Sequence, residues 1–91
     1  MANHKSALKR IRSSEKRRQR NRVTRGTARS AVKRARVSIG GKDMAVAAVA
    51  VGDAVSALDK AAAKGVIHKN NAARRKSRLM RQLNRTQQLA A

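Results

Sequence analysis

Apolar side chains recur at helical spacing in the middle of the chain. The intervals between them are 4, 3, 4, 3 and 4 positions, and the residues are Met44, Ala48, Val51, Val55, Leu58 and Ala62. This spacing is typical of an amphipathic helix that packs against its neighbours along one seam. Asp43 is placed to cap the start of this helix, and Gly65 followed by Val66 suits a Schellman ending. We therefore predict a helix over about 43–64.

Weaker apolar stripes on either side predict two further helices. The first stripe consists of Ala28, Ala31, Val32, Ala35 and Ile39, and the second of Ala72, Leu79, Met80 and Leu83. The chain has no proline and no aromatic residue, and its abundant Ala, Arg, Lys and Gln favour helix over strand. We predict an all-α fold, a three-helix bundle in which residues 1–91 form a single domain. The predicted helices cover about 3–39, 43–64 and 68–87, and Gly40-Gly41 ends the first.

The first predicted helix is too long for the bundle. At 1.5 Å per residue it would extend about 55 Å, against about 30 Å for each of the others, so its N-terminal half must overhang. Over residues 5–25 the cations occupy nearly every side of the helix. They are Lys5, Lys9, Arg10, Arg12, Lys16, Arg17, Arg18, Arg20, Arg22 and Arg25. A helix that is cationic on nearly all sides cannot lie on a protein core.

Charge is extreme and unevenly distributed. The chain holds 24 Lys and Arg against 4 Asp and Glu, a formal net charge of +20. Residues 1–40 hold fourteen cations and one acid (+13), residues 41–65 three of each (0), and residues 66–91 seven cations and no acid (+7). So short a chain buries only about 60% of the surface that it exposes when unfolded, and repulsion among like charges opposes its compaction. We therefore expect a polyanionic partner, nucleic acid first of all.

The chain has almost none of the side chains that catalysis or metal binding requires. The chain lacks Cys and Tyr, its two His stand 64 positions apart, and no nucleotide-binding glycine motif occurs. We expect no enzymatic activity, no cofactor, no metal and no small-molecule substrate. Without Cys, a secretory signal or a long apolar run, an intracellular protein with no membrane association is expected. A mitochondrial transit peptide would account for a basic N-terminus but not for the seven Lys and Arg that follow Gly65.

Basic helices neutralise phosphates and release condensed counterions, so their binding is strong and steeply salt-dependent. Without aromatic side chains the chain lacks the stacking platforms that bind unpaired bases, which favours recognition of backbone shape in a folded RNA. Composition alone leaves two alternatives open. One is a histone-like, DNA-compacting protein. The other is a membrane-active cationic peptide, although such peptides usually carry Trp, Phe or Leu opposite their cations.

Two blocks of sequence resemble the bacterial ribosomal small-subunit protein twenty family. The chain opens with MANHKSALKR, followed closely by SSEKRR, and residues 61–84 read AAAKGVIHKNNAARRKSRLMRQLN. The second block is the more specific, because a Lys-Gly, two aliphatics, His-Lys-Asn and an Ala-Ala-Arg helix do not follow from basic composition. The middle helix, an Ala/Val tract, departs most from the family.

The resemblance implies a cytoplasmic, ribosome-bound protein that binds 16S ribosomal RNA directly and early in small-subunit assembly. It implies few protein contacts, and a role in joining the 5′ domain of the RNA to its long 3′-terminal helix. The implied RNA-facing residues of the opening motif are Asn3, Lys5, Ser6, Lys9, Arg10 and Arg12. Those of the second block are His68, Lys69, Asn70, Arg74, Arg75, Lys76 and Arg78. From charge alone we add Lys16, Arg17, Arg20, Arg22 and Arg25 of the overhang.

Overall fold

A computed structural model describes the backbone of residues 2–41 and 43–90, and the side-chain surroundings of residues 5–41 and 43–89. The chain forms three helices: α1 (Ala2–Ile39), α2 (Met44–Ala63) and α3 (Lys69–Ala90). No strand occurs in this described part of the chain. The predicted all-α fold, with a long basic N-terminal helix, is confirmed. The third helix extends to Ala90, three residues beyond the predicted end.

Both ends of α2 are held by local hydrogen bonds. At its start the Asp43 carboxylate accepts from the backbone N–H groups of Ala45 and Val46, at 3.0 and 3.3 Å, and thereby caps the first turn. At its end Gly65 adopts φ of +73°, and its N–H donates to the Ala62 carbonyl while the Val66 N–H donates to that of Ala61. This pair of bonds is the predicted Schellman ending.

The third helix begins on a histidine cap. Nδ1 of His68 accepts a hydrogen bond of 3.1 Å from the Asn70 N–H, and the His68 carbonyl accepts from Ala72. An imidazole nitrogen here does what a Ser or Asp oxygen usually does at a helix start.

The core lies where the C-terminal half of α1 meets α2 and α3. Among the described residues it consists of Ala28, Ala31, Val32, Ala35, Ile39, Ala47, Val51, Ala54, Leu58, Ala61, Ala72, Leu79 and Leu83. Seven of these thirteen are alanines, which let the helices approach closely but bury little apolar area each. Leu58, Leu79 and Val51 are the largest side chains to be fully buried. The described chain is thin and long, with extents of 71 × 21 × 13 Å.

Two predicted core positions are wrong. Ala48 is exposed, and the buried line of α2 instead runs through Ala47, Val51, Ala54, Leu58 and Ala61. Met80 of α3 is also 48% exposed. In an Ala/Val helix adjacent positions are equally apolar, so the side that is buried is decided by where α1 and α3 lie.

Candidate RNA-binding surface

The first half of α1 extends beyond the bundle. Every residue from 5 to 20 is exposed, and from residue 5 onward Ala28 is the first with a buried side chain. We call residues 5–20 the overhang. It holds eight Lys or Arg and one acid, Glu15, for a net charge of +7. Its side chains are therefore available to a partner along its whole length.

Helical geometry places six of the cations in and near the overhang on two opposite flanks. At 100° per residue, Lys9, Lys16 and Arg20 lie within about 40° of one another. Arg18, Arg22 and Arg25 lie on the other side of the helix, about 180° away, and all six side chains are exposed. We call these the lysine flank and the arginine flank. A helix with side chains is only about 10–12 Å across, so phosphates on both sides would be drawn close together.

A notch forms where the overhang leaves the bundle. It has a volume of about 1070 Å³, and its cationic lining consists of Lys16, Arg17, Arg20 and Lys64. Because α1 and α2 run antiparallel, Arg20 and Lys64 lie level, each about twenty residues from the connection between the two helices. The end of α2 thus adds a fourth cation to three from the overhang.

A second, smaller concavity lies along the overhang itself. Its volume is about 520 Å³, and it is lined by Ser6, Lys9, Arg10, Ser13, Ser14 and Arg17. Short hydroxyl side chains between cations leave room for a sugar-phosphate backbone to approach the helix and supply additional hydrogen-bond donors.

The outer face of α3 carries a stripe of arginines. Arg74, Arg78, Arg81 and Arg85 follow intervals of 4, 3 and 4, and all four are exposed. Lys69 and Asn70, at the start of the helix, are exposed as well, whereas Arg75 is half-buried. These cations form a second basic surface, borne by a different helix from the first.

Two of the predicted RNA-facing residues also hold the fold together. His68 caps α3, as described above. Lys76 is half-buried, and its Nζ donates a hydrogen bond of 2.6 Å to Oδ1 of Asp59, an ion pair that joins α3 to α2. Such partly exposed pairs contribute at most about 1 kcal/mol. A contact of Lys76 with phosphate would compete with this bond.

The remaining predicted RNA-facing residues all belong to α1. The structure brings Lys5, Ser6, Lys9, Arg10, Arg12, Lys16, Arg17, Arg20, Arg22 and Arg25 together on α1, all exposed. The side chain of Asn3 lies outside those described. That these residues of α1 contact RNA stays a prediction. The sequence prediction left out Lys64, Arg18, Arg81 and Arg85. The 4, 3, 4 spacing of the α3 arginines could have revealed the last two.

Other kinds of site find no support in the described part of the chain. No group of three or more His, Cys, Asp or Glu side chains there could hold a metal ion. None of the described helices is both long enough and apolar enough to cross a membrane.

Comparison with known proteins identifies the family. The family model for ribosomal protein S20 matches residues 2–84. The chain belongs to the ribosomal protein S20 family. Members of the S20 family that resemble it include small ribosomal subunit protein bS20 of Thermomicrobium roseum, 57% identical over 92% of this chain and 85% of that protein. The protein of the same name from Geotalea uraniireducens is 52% identical over 92% of this chain and 97% of that one.

Membership of the S20 family settles the broad class of the protein. The chain is a member of a family of ribosomal proteins and not an enzyme, as the sequence predicted, and the relatives that it matches are named as proteins of the small ribosomal subunit. A third relative, bS20 of Oleidesulfovibrio alaskensis, is 51% identical over 87% of this chain and 91% of its own length. The matched region includes both the overhang and the α3 arginines up to Arg81.

Proposed function

We propose that this S20-family chain binds 16S ribosomal RNA directly and joins separate RNA segments during small-subunit assembly. The observation that carries the proposal is the overhang, sixteen exposed residues with a net charge of +7. Such a helix has no protein core to pack on, and its like charges repel one another until phosphates neutralise them. Family membership supplies the ribosomal context.

The arrangement of the cations favours a clamp that holds separate RNA segments together over binding of RNA to a single face of α1. The lysine and arginine flanks face opposite directions, so a single RNA helix cannot contact both equally. One RNA segment on each flank, with a third surface on α3, would neutralise charge on all sides. The planar guanidinium groups suit this role because each can bridge two phosphate oxygens.

The α1–α2–α3 bundle would then act as a strut. Residues 41–65 have no net charge, and their buried alanines and Leu58 hold the two basic helices at a fixed separation. Cytoplasmic location on the ribosome follows from the same proposal.

Footprinting on protein-free 16S RNA tests the clamp. One variant carries Lys9→Gln, Lys16→Gln and Arg20→Gln, and the matched variant carries Arg18→Gln, Arg22→Gln and Arg25→Gln. Each removes three charges and keeps helix-favouring side chains. We expect each variant to lose backbone protection in a different RNA segment. Loss of the same protections in both variants, or of none, would contradict the clamp.

A further inference from the structure

A groove between α1 and α2 continues from the notch toward the middle of the bundle. Val23, Thr24 and Lys64 line the notch, and the same three residues line an adjoining concavity of about 370 Å³. This concavity extends along α2 past Lys60 to Asp53. The two concavities are therefore parts of one surface, which we call the seam groove.

The lining of the seam groove is strongly cationic. Among the described residues that line it are five Lys or Arg and one acid, for a net charge of +4. They are Lys16, Arg17, Arg20, Lys60, Lys64 and Asp53, and all six are exposed. Asp53 precedes Lys64 by eleven positions on α2, so the acid lies at the end of the groove farthest from the notch.

The charges of the middle segment balance overall but not on the side of α2 that lines the seam groove. Asp43 caps the start of the helix, at the end away from the notch, and Asp59 pairs with Lys76 of α3. Lys60 and Lys64 have no ion-pair partner in the part of the chain that the structure describes. These two lysines therefore add uncompensated positive charge where α2 lies beside the overhang.

The width of the groove and its polar groups favour one strand of RNA as the occupant. Packed helices lie about 8–10 Å apart, so a groove between two of them is too narrow for an RNA duplex but admits the ribose-phosphate backbone of one strand. The Thr24 hydroxyl donates to the Arg20 carbonyl at 2.9 Å, which leaves its oxygen able to accept a hydrogen bond from a ribose 2′-OH. The groove also begins at the lysine flank, since Lys16 and Arg20 line the notch.

We propose that the seam groove binds the ribose-phosphate backbone of the RNA segment held by the lysine flank, with Lys60 and Lys64 of α2 contacting its phosphates. This inference rests on the proposed binding of 16S RNA, and it gives α2 a direct contact with RNA in addition to its role as a strut. The strand passes from the overhang onto the bundle along one side of α2. Its path ends at Asp53, whose carboxylate repels phosphate.

The salt dependence of binding to protein-free 16S RNA tests the proposal. One variant carries Lys60→Gln and Lys64→Gln. The matched control carries Arg29→Gln and Arg36→Gln, at exposed positions outside the groove, and Arg36 lies in the last turn of its helix as Lys60 does. Each phosphate contact contributes about 0.7–0.9 to the slope of log K against log salt, so the α2 variant should flatten it by about 1.4–1.8 units. Between 50 and 200 mM salt, the wild-type chain should then lose about seven- to twelvefold more affinity than the α2 variant, and the control should behave as the wild-type chain does.

Hydroxyl-radical footprinting on the same RNA locates the lost contacts. The α2 variant should lose backbone protections within or next to the segment that the lysine-flank variant leaves unprotected, and it should keep the protections that depend on the arginine flank. Loss of protection in an unrelated segment would overturn the proposal. An unchanged slope with unchanged protections, or equal flattening by the control, would overturn it as well.

Thermal melts separate these effects from a loss of folding. Cations in the last turn of a helix also stabilise it through its dipole. If the double variant does not fold, Lys64→Gln alone should flatten the slope by about 0.7–0.9, and an unchanged slope in that folded variant would contradict the proposal. Absence of 16S RNA binding by the wild-type chain would overturn the proposed function and this inference together. Normal wild-type binding with an unchanged slope in the α2 variant would overturn this inference alone.

Discussion

Removing the lysine flank should change how RNA affinity depends on salt. The perturbation is the triple variant Lys9→Gln, Lys16→Gln and Arg20→Gln, whose three exposed side chains lie on one side of the overhang. Each phosphate contact contributes about 0.7–0.9 to the slope of log K against log salt, so three lost contacts should flatten it by roughly 2–3 units. Between 50 and 200 mM salt, the wild-type chain should then lose about 15- to 60-fold more affinity than the variant.

The assay is filter binding or fluorescence anisotropy with 16S RNA at several salt concentrations. The control removes the same charge from the bundle half of α1 through Arg29→Gln, Lys33→Gln and Arg36→Gln, three exposed positions not assigned to RNA. The control slope should stay close to that of the wild-type chain. Equal flattening by both triples would mean that net charge, rather than contact at the overhang, sets the affinity. An unchanged slope in the lysine-flank variant would refute the assignment directly.

Three further changes test the fold and its coupling to RNA. Leu58→Ala, at a fully buried position, should lower the free energy of unfolding by about 2–5 kcal/mol and leave little folded bundle in urea or thermal melts; a cost below 1 kcal/mol would contradict the assigned core. Gly26→Ala should stabilise α1 by about 0.5–1 kcal/mol, because a Cβ there meets nothing within 4 Å, and a lower melting temperature would argue against a continuous helix. His68→Ala should destabilise α3 by about 1 kcal/mol while His68→Asn, which can still cap, should not; equal melting temperatures would show that the imidazole cap contributes nothing. Phosphates of added 16S RNA should neutralise the like charges of the overhang and stabilise its helix in solution, so circular dichroism should report increased helicity; an unchanged spectrum would contradict this effect of charge repulsion.

Local chemistry made much of this fold predictable. The Asp43 cap, the Gly65 ending and the overhang depend on neighbours in the sequence, and all three appear in the structure. The burial of Ala47 rather than Ala48 could not be predicted, because both are alanines and only the positions of the other helices distinguish them.

The sequence predicted which residues form the site better than it predicted how those residues are arranged in space. The distribution of charge along the sequence predicted cationic surfaces on α1 and α3, and residues 5–20 are indeed exposed. The ion pair between Lys76 and Asp59 joins residues seventeen positions apart, and Lys64 reaches the notch only because α2 folds back along α1. Both depend on tertiary packing, which short-range sequence patterns do not contain.

A competition experiment tests the central claim most directly. The chain is bound to labelled 16S RNA at physiological salt and challenged with increasing amounts of random duplex DNA or with unlabelled 16S RNA. If the two basic helices recognise the shape of folded ribosomal RNA, duplex DNA should compete at least about a thousandfold less well, the lower end of the usual gap between specific and non-specific nucleic-acid binding. Equal competition by duplex DNA would contradict the account and favour a general DNA-compacting protein.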